Sequence, residues 1–339
     1  MADKKEKIVL DVAYQPQVRT NTDTRRIMLT LIAALLPSLG VAVWQFGVYP
    51  LVIAAIAVAA AVLCEWGYRK LMHKSKTIGD FSAVVTGLLL AMTLPGRRLE
   101  SVCGPWWLMP IVGSAFAIVV VKQLYGGIGK NFVNPALAGR AVLVASYTAY
   151  MSGSAFLIDA KTGATPLTNL YNGEAFSYDT VALMKGTVPG SIGELSAIAI
   201  LVGLAILLIF KVISWRIPVS FVGTVALVCL IFGHKGYGNA EWMLYNILSG
   251  GLLFGAVFMA TDYATSPVTS YGQLVYGCGC GILTVLIRYF GGYPEGVTYA
   301  ILIMNLCSWA IDKAFHRNQF GVTKEEALAA KKAEKEAAK

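Results

Sequence analysis

Apolar runs follow one another from residue 27 to residue 312 and leave little polar sequence between them. Of the 339 residues, 56% are hydrophobic and only 14% are charged, whereas a soluble domain has roughly 25% charged residues. The charges concentrate in residues 1–26 and 313–339, so the long stretch between them cannot form an ordinary water-facing surface. The sequence therefore predicts an all-α polytopic membrane protein and argues against a soluble enzyme.

The sequence contains ten apolar segments that we predict to lie in the membrane, where a full straight span needs about 20 residues. They lie at about 27–48, 50–72, 80–95, 106–125, 134–150, 194–213, 217–233, 242–260, 272–290 and 295–312. The third is short and ends in Pro95-Gly96, and its counterpart runs from Gly250-Gly251 to Pro267. Interrupted segments in matching positions suggest broken helices. We expect two inverted five-helix repeats, residues 27–150 and 194–312.

Basic residues predict the orientation of these segments. Most Lys and Arg side chains lie in the two tails and in alternate short loops, which are then cytoplasmic. The N-terminal segment 1–26 and the charged tail 313–339 are both expected inside, with membrane lipid around the helices. The long connection 151–193 falls on the outer side, and loops of this length are often functional. The excess of positive charge, +9 in all, lies in the tails and short loops where cytoplasmic Lys and Arg are expected. It therefore does not indicate nucleic-acid binding.

Several kinds of chemistry are disfavoured. The three histidines (73, 234 and 316) lie outside the apolar spans, which argues against haem held by two histidines within the membrane. The run GGIGKNFVNPALAG lacks the spacing of a phosphate-binding loop, and no dinucleotide fingerprint follows a predicted strand. A transporter or channel for a small polar solute, and a scaffold for redox partners, both remain open from these patterns.

Two polar motifs lie at predicted membrane boundaries. The Asn131-Phe-Val-Asn134-Pro135 motif can cap the following helix or bind a polar ligand, and capping is the simpler interpretation. Arg288 and Glu295 are costly in a membrane unless paired, so either a structural ion pair or a functional site is expected.

A third motif, ATDYATSP, offers oxygen ligands. Asp262, Thr265 and Ser266 place one carboxylate and two hydroxyls beside a helix-breaking proline, which suits a hard cation. A capped helix end is the alternative. We expect these three residues to form a Na⁺ site if the chain transports that ion.

Four motifs together resemble one family. GKNFVNPALAGR, DAKTGATPL, ATDYATSPVT and IRYFGGYPEGVTYAILIMN, in this order and spacing, are similar to the RnfD subunits of Rnf complexes, which are ion-translocating ferredoxin:NAD oxidoreductases. The NqrB subunits of the sodium-pumping NADH:quinone reductase share the pattern and are the alternative within the family. The resemblance covers about residues 25–312, and the short N-terminal region favours the Rnf branch.

The resemblance implies a covalent cofactor. In this family the last Thr of the [ST]-G-A-T motif holds FMN through a phosphoester bond, and that residue is Thr165 here. Thr162 stands where the family often has Ser, Gly163 and Ala164 leave the hydroxyl accessible, and Asp159 matches an upstream acidic position.

The resemblance also implies a role and partners. The chain is expected to transfer electrons inside a prokaryotic cell membrane, coupled to Na⁺ or H⁺ movement, with no complete active site of its own. Its partners are other Rnf subunits, including an outer-side flavoprotein, and a flavin transferase that modifies the 151–193 loop. Similar proteins also hold a second, non-covalent flavin, expected to be riboflavin, within the helices.

Overall fold

The computed structural model describes residues 23–75, 77–96, 106–148, 151, 167, 170–171, 180–233, 238–291 and 296–315. Within these ranges the secondary structure is helical, and extended backbone pairs only at an isolated bridge between Pro95 and Ser191. Both tails and most of the 151–193 connection lie outside the described residues.

The described helices follow the apolar segments of the sequence. They are α1 (Thr24–Phe46), α2 (Tyr49–Leu71), α3 (Ser82–Met92), α4 (Leu108–Gln123), α5 (Pro135–Ser146), α6 (Thr180–Lys185), α7 (Ala197–Ile209), α8 (Arg216–Ile231), α9 (Asn239–Leu248), α10 (Leu252–Met259), α11 (Ser270–Phe290) and α12 (Val297–Ala314). The second half of α4 and most of α10 have π-helical geometry.

Three of these helices, α1, α2 and α11, are long and apolar enough to cross a membrane alone. A fourth candidate is the pair α9 and α10, which passes the same test when joined and is bent by 62° at the break between them. Five further apolar helices are 10–17 residues long. An all-α membrane protein is thus confirmed, whereas the ten-span inverted-repeat layout stays a prediction.

A polar cap starts α5 at the position that the sequence predicts. The Asn134 side chain accepts hydrogen bonds from the N–H groups of Ala136 and Leu137, and Pro135 occupies the first turn of α5. Proline at this position removes an N–H that would have no helical partner. The capping interpretation of Asn134 is therefore confirmed.

Glycines allow several helices to pack at short range. Gly277 and Gly281 of α11 face the backbone of α8, where an added Cβ would lie about 3 Å from the carbonyl oxygens of Ile217 and Phe221. Gly203 of α7 faces the Ala34 carbonyl oxygen of α1 in the same way. These contacts pack α11 closely against α8, and α7 closely against α1.

The helix bundle has two ends, called proximal and distal. The proximal end has the first turn of α1 and the 260–269 connection, which lies beside the end of α12 because Asp312 accepts hydrogen bonds from the N–H groups of Val268 and Thr269. The distal end has the C-terminal ends of α8 and α11, where the Tyr289 hydroxyl donates to the Phe232 carbonyl oxygen.

The two halves of the chain meet at interrupted helices. Ile192 and Gly193, just before α7, donate backbone hydrogen bonds to the carbonyl oxygens of Leu94 and Met92 at the end of α3, at 3.1 and 2.6 Å. Gly193 also faces the Phe254 ring of α10. The break before α10 needs Gly250, which has a φ of +70°. The end of α3 and the start of α10 are thus joined through residues 191–193.

Candidate functional site: a proximal cavity and the helix break

A cavity of about 470 Å³ opens at the proximal end. One wall is α3, which contributes Ser82, Val85, Thr86 and Leu89, spaced so that they share one helical face. The other walls are the start of α1, residues 128–136, and residues 258–264. The lining is mostly apolar with a few polar groups, as in sites for small organic ligands, which span roughly 300–1,000 Å³.

Asp262 lies on the wall of this proximal cavity, in the connection that follows α10 and outside the membrane-spanning helices. Its Oδ2 accepts a hydrogen bond of 3.1 Å from the Thr265 hydroxyl. Burial raises the pKa of the Asp262 carboxyl, and hydrogen bonds from Thr265, the Ala264 N–H and the Asn131 side chain oppose that rise. The site therefore holds a carboxylate with several donors directed at it.

The expected cation ligands are partly brought together. Asp262 and Thr265 are in contact through their side chains, and the backbone N–H of Ser266 donates to the Asp262 carbonyl oxygen at 3.0 Å. The helix-end alternative also has support, because the Thr269 side chain caps α11 and the Thr261 hydroxyl donates to the Val257 carbonyl oxygen in the last turn of α10. Among the described residues, no group of three His, Cys, Asp or Glu side chains is arranged to hold a metal ion.

A buried charge network adjoins the same cavity and was not anticipated. Lys122 Nζ lies 2.8 Å from Glu65 Oε2 and donates to Ser82 Oγ at 2.6 Å, and Lys122 and Ser82 both line the cavity. Ser82 Oγ in turn donates to Asp80 at 2.6 Å. The signal available in the sequence was an acid and a base inside apolar runs, Glu65 and Lys122, which are costly in a membrane unless paired.

A second buried ion pair, also missed, lies at the contact between the halves. Arg140 of α5 and Glu194, just before α7, are 3.3 Å apart, and each side chain is 5% exposed. The Glu194 carboxylate lies directly against Gly251, where α9 and α10 are separated, because any Cβ at Gly251 would overlap it. The pair thus connects α5, the start of the second half and the helix break.

The distal end contains an arginine that the sequence had singled out. Arg288 is 2% exposed and donates through Nη1 to the Asn246 carbonyl oxygen at 2.6 Å. Its suggested ion-pair partner Glu295 lies outside the described residues. Tyr171 donates to the Asn246 side chain at 2.8 Å and forms ring contacts with Trp242.

The predicted FMN motif, Asp159 and Thr162 to Thr165, lies outside the described residues. The nearest described residue after it is Leu167, which is 1% exposed. Its side chain packs against Gly250 at the helix break, and the Arg288 guanidinium lies next to the same glycine. Leu167, two residues after Thr165, is therefore buried at the distal end.

A family model described as the NQR2, RnfD, RnfE family matches residues 11–321. A protein of Acetobacterium woodii, named as the D component of a Na(+)-translocating ferredoxin:NAD(+) oxidoreductase complex, is 46% identical over 321 residues, covering 93% of this chain and 96% of that protein. A protein of Clostridium ljungdahlii, named as the same component of a proton-translocating complex, is 38% identical, covering 93% and 97%. A third relative, the corresponding component of an ion-translocating oxidoreductase complex of Actinobacillus succinogenes, is 32% identical, covering 88% and 94%.

Proposed function

The chain belongs to the NQR2, RnfD, RnfE family, and we propose that it is the RnfD-type membrane component of an ion-translocating ferredoxin:NAD⁺ oxidoreductase complex. The observation that supports this most directly is 46% identity to a protein named as such a component, over nearly the whole of both chains. Relatives of similar coverage are named for Na⁺ and for protons, so the ion is either of these. The other subunits of the complex are then its partners.

Thr165 is proposed to hold FMN through a phosphoester bond. The Thr162-Gly-Ala-Thr165 sequence supports this, and so does the environment of the chain that follows it. Leu167 is buried beside Gly250, and the Arg288 guanidinium nearby supplies positive charge that suits a phosphate. FMN supplies the electron-transfer chemistry when attached, and the protein fixes its position. A flavin transferase acting on the 151–193 loop is required for the attachment.

The proximal cavity is proposed to hold the second, non-covalent flavin, riboflavin. Its volume of about 470 Å³ is in the range of small-molecule sites. Val85, Leu89 and Phe258 offer apolar walls for a flat ring, while Lys122 and Asn131 offer donors. In the proposed site these residues bind and orient the flavin ring and exclude water from one of its faces.

The same cavity includes the proposed cation site. Asp262, with the Thr265 hydroxyl in contact and Ser266 hydrogen-bonded through its backbone N–H, would supply oxygen ligands for Na⁺ or accept a proton. Its place on the wall of the flavin cavity puts a cation and an electron carrier within one electrostatic environment. Negative charge added to the flavin then favours the arrival of a cation at the site beside it.

Denaturing gels test the covalent flavin. The complex is produced in a host that contains the flavin transferase, and fluorescence of this chain is compared for wild type, Thr165→Ala and Thr168→Ala. Thr168→Ala is the matched control, because it removes a threonine hydroxyl three residues away in the same loop. We expect fluorescence in wild type and in Thr168→Ala and none in Thr165→Ala. Equal fluorescence in all three would move the attachment elsewhere, and its absence from wild type would refute a covalent flavin.

A further inference from the structure

Three cavities follow one another along the contact between the two halves. The proximal cavity is the large one, the middle cavity has about 10 Å³ and the distal cavity about 20 Å³. Roughly 10–15 Å³ of such volume holds one water molecule. The two small cavities are therefore of the size for a single water or a largely dehydrated small cation.

A hydrogen bond joins the wall of the proximal cavity to the wall of the middle cavity. Asn134 lines the proximal cavity and Met259 lines the middle one, and the Asn134 side-chain amide donates to the Met259 carbonyl oxygen at 3.0 Å. One turn further along α5, Leu137 is already on the wall of the middle cavity. The Asn134 side chain, which also caps α5, thus lies between the two cavities.

The middle and distal cavities meet at a carboxylate. Glu194 lines both of them, with Arg140 and Thr298 on the middle side and Ser249 and Gly250 on the distal side. The hydroxyl and backbone oxygens of these residues are the kind of ligand that hard cations take. A cation that moved from one small cavity to the other would pass beside this carboxylate.

Arg140 gives this position its electrostatic character. The Glu194 carboxylate is 5% exposed, and the Arg140 guanidinium 3.3 Å away neutralises it. An incoming cation must therefore compete with the positive charge of the Arg140 guanidinium. That charge cannot leave, because Arg140 is part of α5. Such competition lowers the affinity of the site for the cation and so favours its release.

We propose that Glu194 binds the transported monovalent cation, Na⁺ or H⁺, midway between the proximal and distal cavities, with Arg140 as the counter-charge that limits its residence. This inference rests on the ion transport of the proposed function. Glu194 is distinct from Asp262 and its neighbours. In this proposal the ion moves along the contact between the two halves of the chain.

Reconstituted vesicles test the proposal. The complex is supplied with reduced ferredoxin and NAD⁺, and Na⁺ uptake, internal pH and NADH formation are followed for wild type, Glu194→Gln and Glu241→Gln. Glu241 is an exposed glutamate of α9, so Glu241→Gln is the same change without burial. We expect loss of Na⁺ and of H⁺ uptake in Glu194→Gln and wild-type uptake in Glu241→Gln.

A double variant separates transport from folding. Glu194→Gln alone leaves the Arg140 guanidinium buried beside a neutral amide, which can prevent assembly. Arg140→Gln with Glu194→Gln removes both charges together, and covalent flavin in the purified complex reports that it has assembled. We expect this double variant to assemble and to transport neither ion.

The outcomes distinguish failure of the Glu194 proposal from failure of the proposed function. Wild-type uptake in the double variant would overturn the role of Glu194 and make the ion pair a structural link alone. If the wild-type complex forms NADH from reduced ferredoxin but takes up neither ion, the ion transport of the proposed function fails, and the inference falls with it.

Discussion

At the scale of single residues, the side chains that matter most are charged groups buried among apolar helices. Lys122 and Glu65 form a pair 2.8 Å apart, with 4% and 1% of their side chains exposed. Removing one partner of a buried pair leaves an uncompensated charge, whereas replacing both can be nearly neutral. The pair therefore matters for stability mainly because removal of either charge alone would destabilise the protein.

This reasoning predicts a non-additive cycle. Glu65→Gln and Lys122→Met should each destabilise the protein by roughly 3–5 kcal/mol, and the double variant should recover part of that loss, because Arg69, 3.9 Å from Glu65, still lies beside the neutral amide. Lys70→Met, at an exposed lysine further along α2, is the control and should cost little. The measurement is the midpoint of thermal aggregation in detergent. Additive losses in the double variant would show that the two side chains act separately.

Asp262 gives a second prediction at this scale. Asp262→Asn keeps the size of the side chain and can still accept from the Thr265 hydroxyl, but removes the negative charge at the proximal cavity. We expect Na⁺-dependent transport to be lost while FMN stays attached to the chain. Asp23→Asn, at an exposed aspartate just before α1, is the matched control. Unchanged Na⁺ uptake by Asp262→Asn would exclude this carboxylate from the cation site.

Single residues were also the scale at which the sequence was least informative. Asn134 could be recognised as a cap because its partners are two and three residues away. Glu65 and Lys122 are 57 residues apart, and Arg140 and Glu194 are 54 apart, so their pairing depends on how helices are arranged. The Asp262–Thr265 contact was foreseeable because both side chains belong to one turn.

At the scale of elements, α3 shows how a short helix can shape a site. Its cavity-facing residues repeat at helical spacing, and Gly87 on another face packs onto the backbone of α2. The shortness of α3 and the glycine-rich break before α10 were both predictable, since Gly and Pro interrupt apolar runs in the sequence. The 62° bend itself was not, because it depends on what packs against each side of the break.

The role of α3 predicts the effect of filling the cavity. Leu89→Trp adds a ring to the cavity wall and should reduce the riboflavin extracted from the purified protein, while covalent FMN is kept. Leu227→Trp is the control, because Leu227 is 57% exposed on α8. Flavins are released by acid and separated by chromatography. Equal riboflavin in the two variants would place the second flavin elsewhere.

At the scale of the whole molecule, the proposed function depends on which end of the helix bundle faces the cytoplasm. The distribution of Lys and Arg predicts cytoplasmic tails and an outer 151–193 loop. The described helices agree with a membrane protein. The overall class could be read from the sequence because it depends on composition and run length, which do not require tertiary contacts.

Cysteine labelling in intact cells tests the orientation. In a cysteine-free background, single cysteines at position 20, at position 325 and at position 160 are exposed to a membrane-impermeant maleimide. We expect labelling of position 160 alone in intact cells, and of all three after the membrane is opened, which is the control. Labelling of either tail in intact cells would invert the proposed topology.

The central claim is that this chain transfers electrons for ferredoxin:NAD⁺ oxidoreduction through a flavin on Thr165. The most direct measurement is NADH formation from reduced ferredoxin by purified complexes that contain wild type, Thr165→Ala or Thr168→Ala. The account predicts that Thr165→Ala assembles with its partners but forms almost no NADH, whereas Thr168→Ala matches wild type. Full activity in Thr165→Ala would contradict it.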